Sequence, residues 1–167
     1  WSVQKGYDWI GLHDVQFLNR KSGWAVGEMG GIFHTNDGGK NWTQQRGYIF
    51  ESLRALCFVS SKEGWSVGWP GKIIHTTDGG KTWSSQNSDT YNELYSVYFI
   101  DNQTGWVSGQ YGLIIYTLDG GKTWKLQHSR AESNLNKIYF ASPMAGIAVG
   151  DEGTLLTTED SGKTWQR

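Results

Sequence analysis

Thr76-Thr77-Asp78-Gly79-Gly80-Lys81-Thr82-Trp83 decides how the rest of the chain is read, because the same eight positions recur three more times. The copies are Thr35 to Trp42 (T-N-D-G-G-K-N-W), Thr117 to Trp124 (T-L-D-G-G-K-T-W) and Thr158 to Trp165 (T-E-D-S-G-K-T-W). Asp37, Asp78, Asp119 and Asp160 stand 41 residues apart, so no insertion or deletion interrupts the repeat. A period of that size marks a blade or a solenoid coil. Four repeats fill the 167 residues and leave room for one domain, 1–167.

Working outward from the box, the second repeat serves as the type. Leu53, Leu56 and Phe58 open an apolar run matched by Leu12, Val15 and Phe17, by Leu94, Val97 and Phe99, and by Leu135, Ile138 and Phe140. The i, i+2 spacing of Leu56 and Phe58 is the period of a strand. Next comes Gly64-Trp65-Ser66-Val67-Gly68, with counterparts G-W-A-V-G at Gly23, G-W-V-S-G at Gly105 and G-I-A-V-G at Gly146. Glycines bracketing an apolar core predict a short buried strand with close backbone approaches at its ends. Ile147 replaces Trp24, Trp65 and Trp106, which makes that column apolar filling. A third strand leads into Asp-Gly-Gly and a fourth leaves it, a hairpin in which the carboxylate accepts its own turn's N–H groups, glycine supplies positive φ and Trp covers the hairpin.

Four short strands per 41 residues, with no usable helical period, predict an all-β chain of four four-stranded blades, a β-propeller. The blades fall at about 6–46, 47–87, 88–128 and 129–167, with 1–5 as a displaced outer strand. T-x-D-G-G-K-T-W, with the upstream G-W-x-V-G and L-x-x-V-x-F strands, resembles the Asp-box (BNR-type) propeller repeat, in particular the variety in the photosystem II stability and assembly factor propellers. The resemblance covers the whole chain and departs chiefly at Ser161 and Ile147. It implies that Asp37, Trp42, Asp78, Trp83, Asp119, Trp124, Asp160 and Trp165 are structural clasps and not an active site. Similar boxes occur in sialidases, xyloglucan-degrading enzymes and sortilin-type receptors, so the box alone assigns no function.

Trp1 stands one period before Trp42 and reads as the end of a further box, so W-S-V-Q-K is an outer strand without its blade. Trp1, Val3 and Trp165 are therefore the strand-closure candidates. Three arrangements fit: a closed four-bladed ring, an assembly of chains that exchange terminal strands, and part of a larger ring. An unpaired sheet edge favours association.

A net charge of -1 with 19% charged residues provides no basic field for nucleic acid or membrane surfaces. No apolar run reaches the roughly 18 residues of a membrane span. Cys57 is the single cysteine and shares its column with Gln16, Tyr98 and Tyr139, a tolerant strand position. A start at Trp1 and not at Met leads to the expectation of a removed leader or upstream domain and an extracytoplasmic location.

The most variable segments are the links between second and third strands and between blades, which a propeller gathers on the face opposite the boxes. Trp9, Phe50 and Tyr91 occupy one column, with Trp69 and Tyr111 in the other set of links, and together they form the candidate partner-binding residues. Aromatics in loops offer a platform to a protein segment or a sugar ring. The same links carry Asp8, Glu28, Glu132, Asp151 and Glu152, and a glycosidase would need two of them at a set separation, which spacing in sequence does not show. The five arginines occupy unrelated repeat positions, unlike a sialidase cluster. His34 and His75 sit one blade apart, and neither a zinc motif nor a calcium loop is present. The reading is a non-catalytic scaffold without cofactor or metal that binds a protein partner. The alternatives are a structural protein that self-associates through its terminal strands and a glycan-binding or glycosidase-related module.

Overall fold

The computed structural model describes residues 10–45 and 50–167. Its strands form four antiparallel sheets in chain order. The first holds β1 (Leu12–Phe17), β2 (Gly23–Gly27), β3 (Ile32–Thr35) and β4 (Thr43–Gln44). The second holds β5 (Leu53–Phe58), β6 (Gly64–Gly68), β7 (Lys72–Thr76) and β8 (Ser84–Gln86), and the third β9 (Leu94–Phe99), β10 (Gly105–Gly109), β11 (Ile114–Thr117) and β12 (Lys125–Gln127). In the fourth, β13 (Leu135–Phe140), β14 (Gly146–Gly150) and β15 (Leu155–Thr158) are followed by a single bridge, Thr157 to Gln166. Each sheet is a meander whose strands neighbour in space as in sequence, the arrangement of a propeller blade.

The second strand of each blade is the buried spine, with all five residues of β2, β6 and β10 inaccessible. Its bracketing glycines are required by contact and not by turn geometry. A Cβ on Gly64 would lie 2.5 Å from the Phe58 ring, and one on Gly68 would lie 1.9 Å from the Ser52 carbonyl oxygen. The remaining copies of both positions are crowded in the same way, so the ring of the first strand can lie flat across the spine.

Cores form between blades. Trp24 stacks on Phe58 with ring centroids 3.9 Å apart, Trp65 on Phe99 at 3.6 Å and Trp106 on Phe140 at 3.6 Å. The indole N–H donates across the same interface to a carbonyl of the next box: Trp24 to Gly79 at 3.0 Å, Trp65 to Gly120 at 3.2 Å, Trp106 to Ser161 at 3.4 Å. This corrects the reading of the column as apolar filling, since indole supplies a buried donor as well as area. Ile147 belongs to the last blade, where no further box follows among the described residues.

Inner strands of adjacent blades are joined by side chains reaching a neighbour's backbone. Leu56 N donates to Asp14 Oδ2 at 2.9 Å, Phe58 N to Gln16 Oε1 at 2.7 Å, Phe99 N to Cys57 Sγ at 3.3 Å and Ile138 N to Ser96 Oγ at 3.3 Å. Gln16 and Cys57, which share a column, therefore cap the edge of the following strand, and burial pushes the Cys57 thiol's pKa up. Packing passes from β1 to β5, β5 to β9 and β9 to β13. Among the described residues β1 and β13 share no comparable contact, so the blades make an arc with two outer faces.

Candidate partner-binding face

One rim of the arc carries the four boxes, and their geometry gives the Thr, Asp, Gly and Trp of the motif structural roles. In the second copy Thr76 Oγ1 donates to Asp78 Oδ1 at 2.9 Å and accepts Gly80 N–H at 2.8 Å. Thr82 N and Oγ1 then donate to the two Asp78 oxygens at 2.9 and 2.6 Å. The other copies repeat this pattern, with Asn41 in place of threonine in the first. A carboxylate accepting several hydrogen bonds resists protonation. Bonds from Asn41 hold Asp37 at about 2, bonds from Thr123 and Thr164 do the same for Asp119 and Asp160, and Thr82 lowers Asp78. Box Trp rings stand edge-on to the phenylalanine of their own blade, Trp83 on Phe58 at 5.9 Å and Trp165 on Phe140 at 6.0 Å. Trp42 and Trp124 do likewise on Phe17 and Phe99. Each box carboxylate is thus engaged by the residues of its own turn.

The opposite rim is built from the links between second and third strands and from the entries to each blade. The first link residue donates to the carbonyl just before its own blade's first strand: Glu28 N to Gly11 O at 2.8 Å, Trp69 N to Ser52 O at 3.0 Å, Gln110 N to Glu93 O at 2.9 Å, Asp151 N to Asn134 O at 3.0 Å. Glycines in the links then bind the next blade's entry, Gly30 N to Glu51 O at 2.9 Å and Gly71 N to Asn92 O at 3.0 Å. Ser88 Oγ donates to Gly71 O and Ser129 Oγ to Gly112 O, each at 2.6 Å. The link backbones are thereby tied to two blades at once, which makes the rim a fixed support for its side chains.

Those side chains are apolar and face water. Phe50 is 87% exposed, Tyr91 89%, Tyr111 71% and Trp69 54%. Trp9 lies outside the described residues, as do Trp1 and Val3, while Trp165 is buried in the blade-three to blade-four core. Sequence reading passed over Met29, which is 64% exposed and occupies the same repeat position as Tyr111. Both take left-handed backbone conformations, φ 52° at Met29 and φ 56° at Tyr111, as Glu152 does at 55°. A non-glycine residue there costs about 1–3 kcal/mol, a strain that concentrates at functional surfaces. The available signal was the column itself, since aligning Met29 with Tyr111 marks both as loop-tip side chains. Two ion pairs stand on this rim, Arg54 Nε to Glu93 Oε1 at 2.6 Å and Lys72 Nζ to Glu51 Oε1 at 3.0 Å, and that lysine lowers the Glu51 pKa.

Of the acidic residues considered for catalysis, Asp8 lies outside the described residues, and Asp151 and Glu152 are engaged with neighbours. Asn136 and Asn134 donate to the two Asp151 oxygens at 2.6 and 2.9 Å, and Ser133 donates to Glu152 at 3.0 Å. His34 lies tilted against Trp24 and His75 stacks on Trp65, each within its own blade, and burial lowers the His34 pKa. Among the described residues no three His, Cys, Asp or Glu side chains gather as a metal site.

Comparison with known proteins agrees with this architecture. The family model described as photosynthesis system II assembly factor YCF48 matches twice in tandem, over residues 2–91 and 85–167. The structure of YCF48 bound to D1 peptide is similar at 27% identity and a TM-score of 0.76, over 94% of this chain and 52% of that one. YCF48 from Cyanidioschyzon merolae is 23% identical with a TM-score of 0.73, over 94% of this chain and 55% of that one. An ancestral GH74 enzyme shares the fold at 15% identity and a TM-score of 0.78, over 93% of this chain and 24% of that one. The chain thus spans about half the length of the YCF48 structures it matches. No curated protein matches it.

Proposed function

We propose, from the premise that this chain belongs to the photosynthesis system II assembly factor YCF48 family, that it is a non-catalytic scaffold which holds an extended segment of a partner protein against the rim opposite its boxes. The observation that carries this reading is the set of exposed side chains Met29, Phe50, Trp69, Tyr91 and Tyr111 on links whose backbone is bonded to two blades. Aromatic side chains on a rigid support bury large area on binding at little entropic cost, because few torsions must be frozen. A relative solved with a D1 peptide bound supports a peptide as the ligand class. The fold shared with a GH74 enzyme does not favour hydrolysis, because Asp151 and Glu152 are engaged with neighbouring asparagine and serine side chains.

Titrating a fluorescently labelled D1 peptide with the 167-residue chain tests the proposal. Binding that is lost on combining Trp69→Ala, Tyr91→Ala and Tyr111→Ala, with the thermal melt preserved, is the expected result. Undiminished affinity in that triple variant would sink the assignment of this rim.

A further inference from the structure

On the outer flank between blades three and four lies a groove of about 530 Å³. Clefts that hold ligands run from about 300 to 1,000 Å³. One wall is the outer part of blade three, with Tyr116 on β11 and Leu118 in the box, and the other is Pro143 and the box residues Ser161 to Lys163 of blade four. The same positions occur at the junctions of blades one with two and two with three, so the repeat supplies its own comparison.

At those two junctions the positions are polar. Tyr116 stands in the column of His34 and His75, Leu118 in that of Asn36 and Thr77, and Pro143 in that of Ser61 and Asn102. Met144, beside Pro143, takes the place of Lys62 and Gln103. His34 Nε2 lies 3.2 Å from Ser22 Oγ, and His75 Nε2 lies 2.9 Å from Glu63 Oε1, whereas Thr104 and Tyr116 share no such bond among the described residues. The columns turn polar again at Thr157 and Glu159 in blade four. Both walls of one junction have therefore changed from polar to apolar together. Folding gains little from the change, since Leu118 is 64% exposed and Met144 54%.

The charge of the groove has one sign. His128 and Lys163 line it, and no aspartate or glutamate does. Lys125 lies opposite Tyr116 in the pairing of β11 with β12, at a position held by Thr43 and Ser84 in the earlier blades. β12 is the outermost strand of its sheet, and an extended chain can run along such an edge.

We propose that this groove is a second docking site, separate from the link rim, for an extended acidic segment of a partner protein. A large apolar side chain of the segment enters between Tyr116, Leu118 and Pro143, and its carboxylates face Lys125 and Lys163. Opposite charge at the margin sets encounter and choice of partner, while the apolar walls hold what has entered. The hollow shape suits an inserted side chain better than a bilayer, which meets protruding residues.

Panning a phage-displayed library of random linear peptides on the 167-residue chain tests this. Binders of a groove variant are first removed, the variant combining Tyr116→His, Leu118→Thr, Pro143→Asn and Met144→Gln, the residues of the junction before it. Enriched sequences should place Phe, Leu or Trp beside Asp or Glu. Synthesised and labelled, they should bind the groove variant about tenfold or more weakly than the parent. Lys125→Glu should weaken them as well, and the link-rim variant with Trp69→Ala, Tyr91→Ala and Tyr111→Ala should bind them as the parent does. Loss in the link-rim variant alone would place the site on the other rim. Should the combined groove variant fail to fold, Leu118→Asn at its exposed position replaces it. The proposal is overturned by the absence of acidic and apolar sequences, by undiminished affinity in the groove variant, or by a parent that takes phosphatidylglycerol vesicles through this groove in place of peptides.

Discussion

The two rims of this arc behave in opposite ways. On the box rim the side chains turn inward: each threonine and aspartate spends its hydrogen-bonding capacity within eight residues, and the four copies superpose in sequence and in bonding. On the link rim the backbone is satisfied internally and the side chains turn outward, with a different residue at each tip: Met29, Pro70, Tyr111 and Glu152. Faithful repetition here marks a folding device, and variation marks the surface available for recognition. A motif that repeats without change has little with which to distinguish one partner from another.

The largest way to break this comparison is to attack what joins the rims. Trp65→Ala removes a fully buried ring stacked on Phe99 and the donor to Gly120 O, and should cost about 3–5 kcal/mol. Chemical denaturation would show the loss, and a change below about 1 kcal/mol would contradict the account of the cores.

Acid should distinguish the rims next. Asp37, Asp119 and Asp160 titrate at about 2 when folded against 3.8 when free, and Asp78 is lowered as well. A depressed folded pKa means that the unfolded chain binds protons first. The boxes' contribution is therefore complete above the free value and is lost as pH falls from near 4 toward 2. Melting temperatures should drop steeply through that window, and Asp119→Asn should flatten the slope. The link rim adds one lowered carboxylate, Glu51 beside Lys72, to the same loss, against the four of the box rim.

A smaller effect concerns Ser108, whose buried hydroxyl has no partner among the described residues, at a position filled by Val26, Val67 and Val149 in the other blades. Ser108→Val should raise stability by about 1 kcal/mol by removing an unsatisfied group, measured by the same denaturation. Smallest of all, Phe50→Ala and Tyr91→Ala should leave stability within about 0.5 kcal/mol of the parent, since both side chains stand in water. Larger losses would mean that the link rim is part of the core.

Legibility followed distance along the chain. Box bonding, strand periods and blade order were readable because they depend on residues within one repeat, and the spacing of Asp37, Asp78, Asp119 and Asp160 exposes it directly. The indole N–H bonds and the caps from Asp14, Gln16, Cys57 and Ser96 were not readable, because each joins positions 42 or 55 residues apart. Sequence columns show that Gln16 and Cys57 are equivalent; only the neighbouring strand shows what they do. Met29 was passed over for a related reason. Its residue type suggests core, and its exposure arises from a left-handed turn placed at a loop tip.

By itself, then, the sequence determined an all-β chain of four equivalent blades, each clasped by hydrogen bonds that close within a single hairpin, because local bonds need only local residues. Tertiary structure alone decided which copies of a conserved column are buried and which are bare. Leu12 and Leu53 are the same residue in the same strand, yet one faces water and the other a tryptophan-lined wall. Burial belongs to the pair of surfaces that meet, and no single repeat contains both.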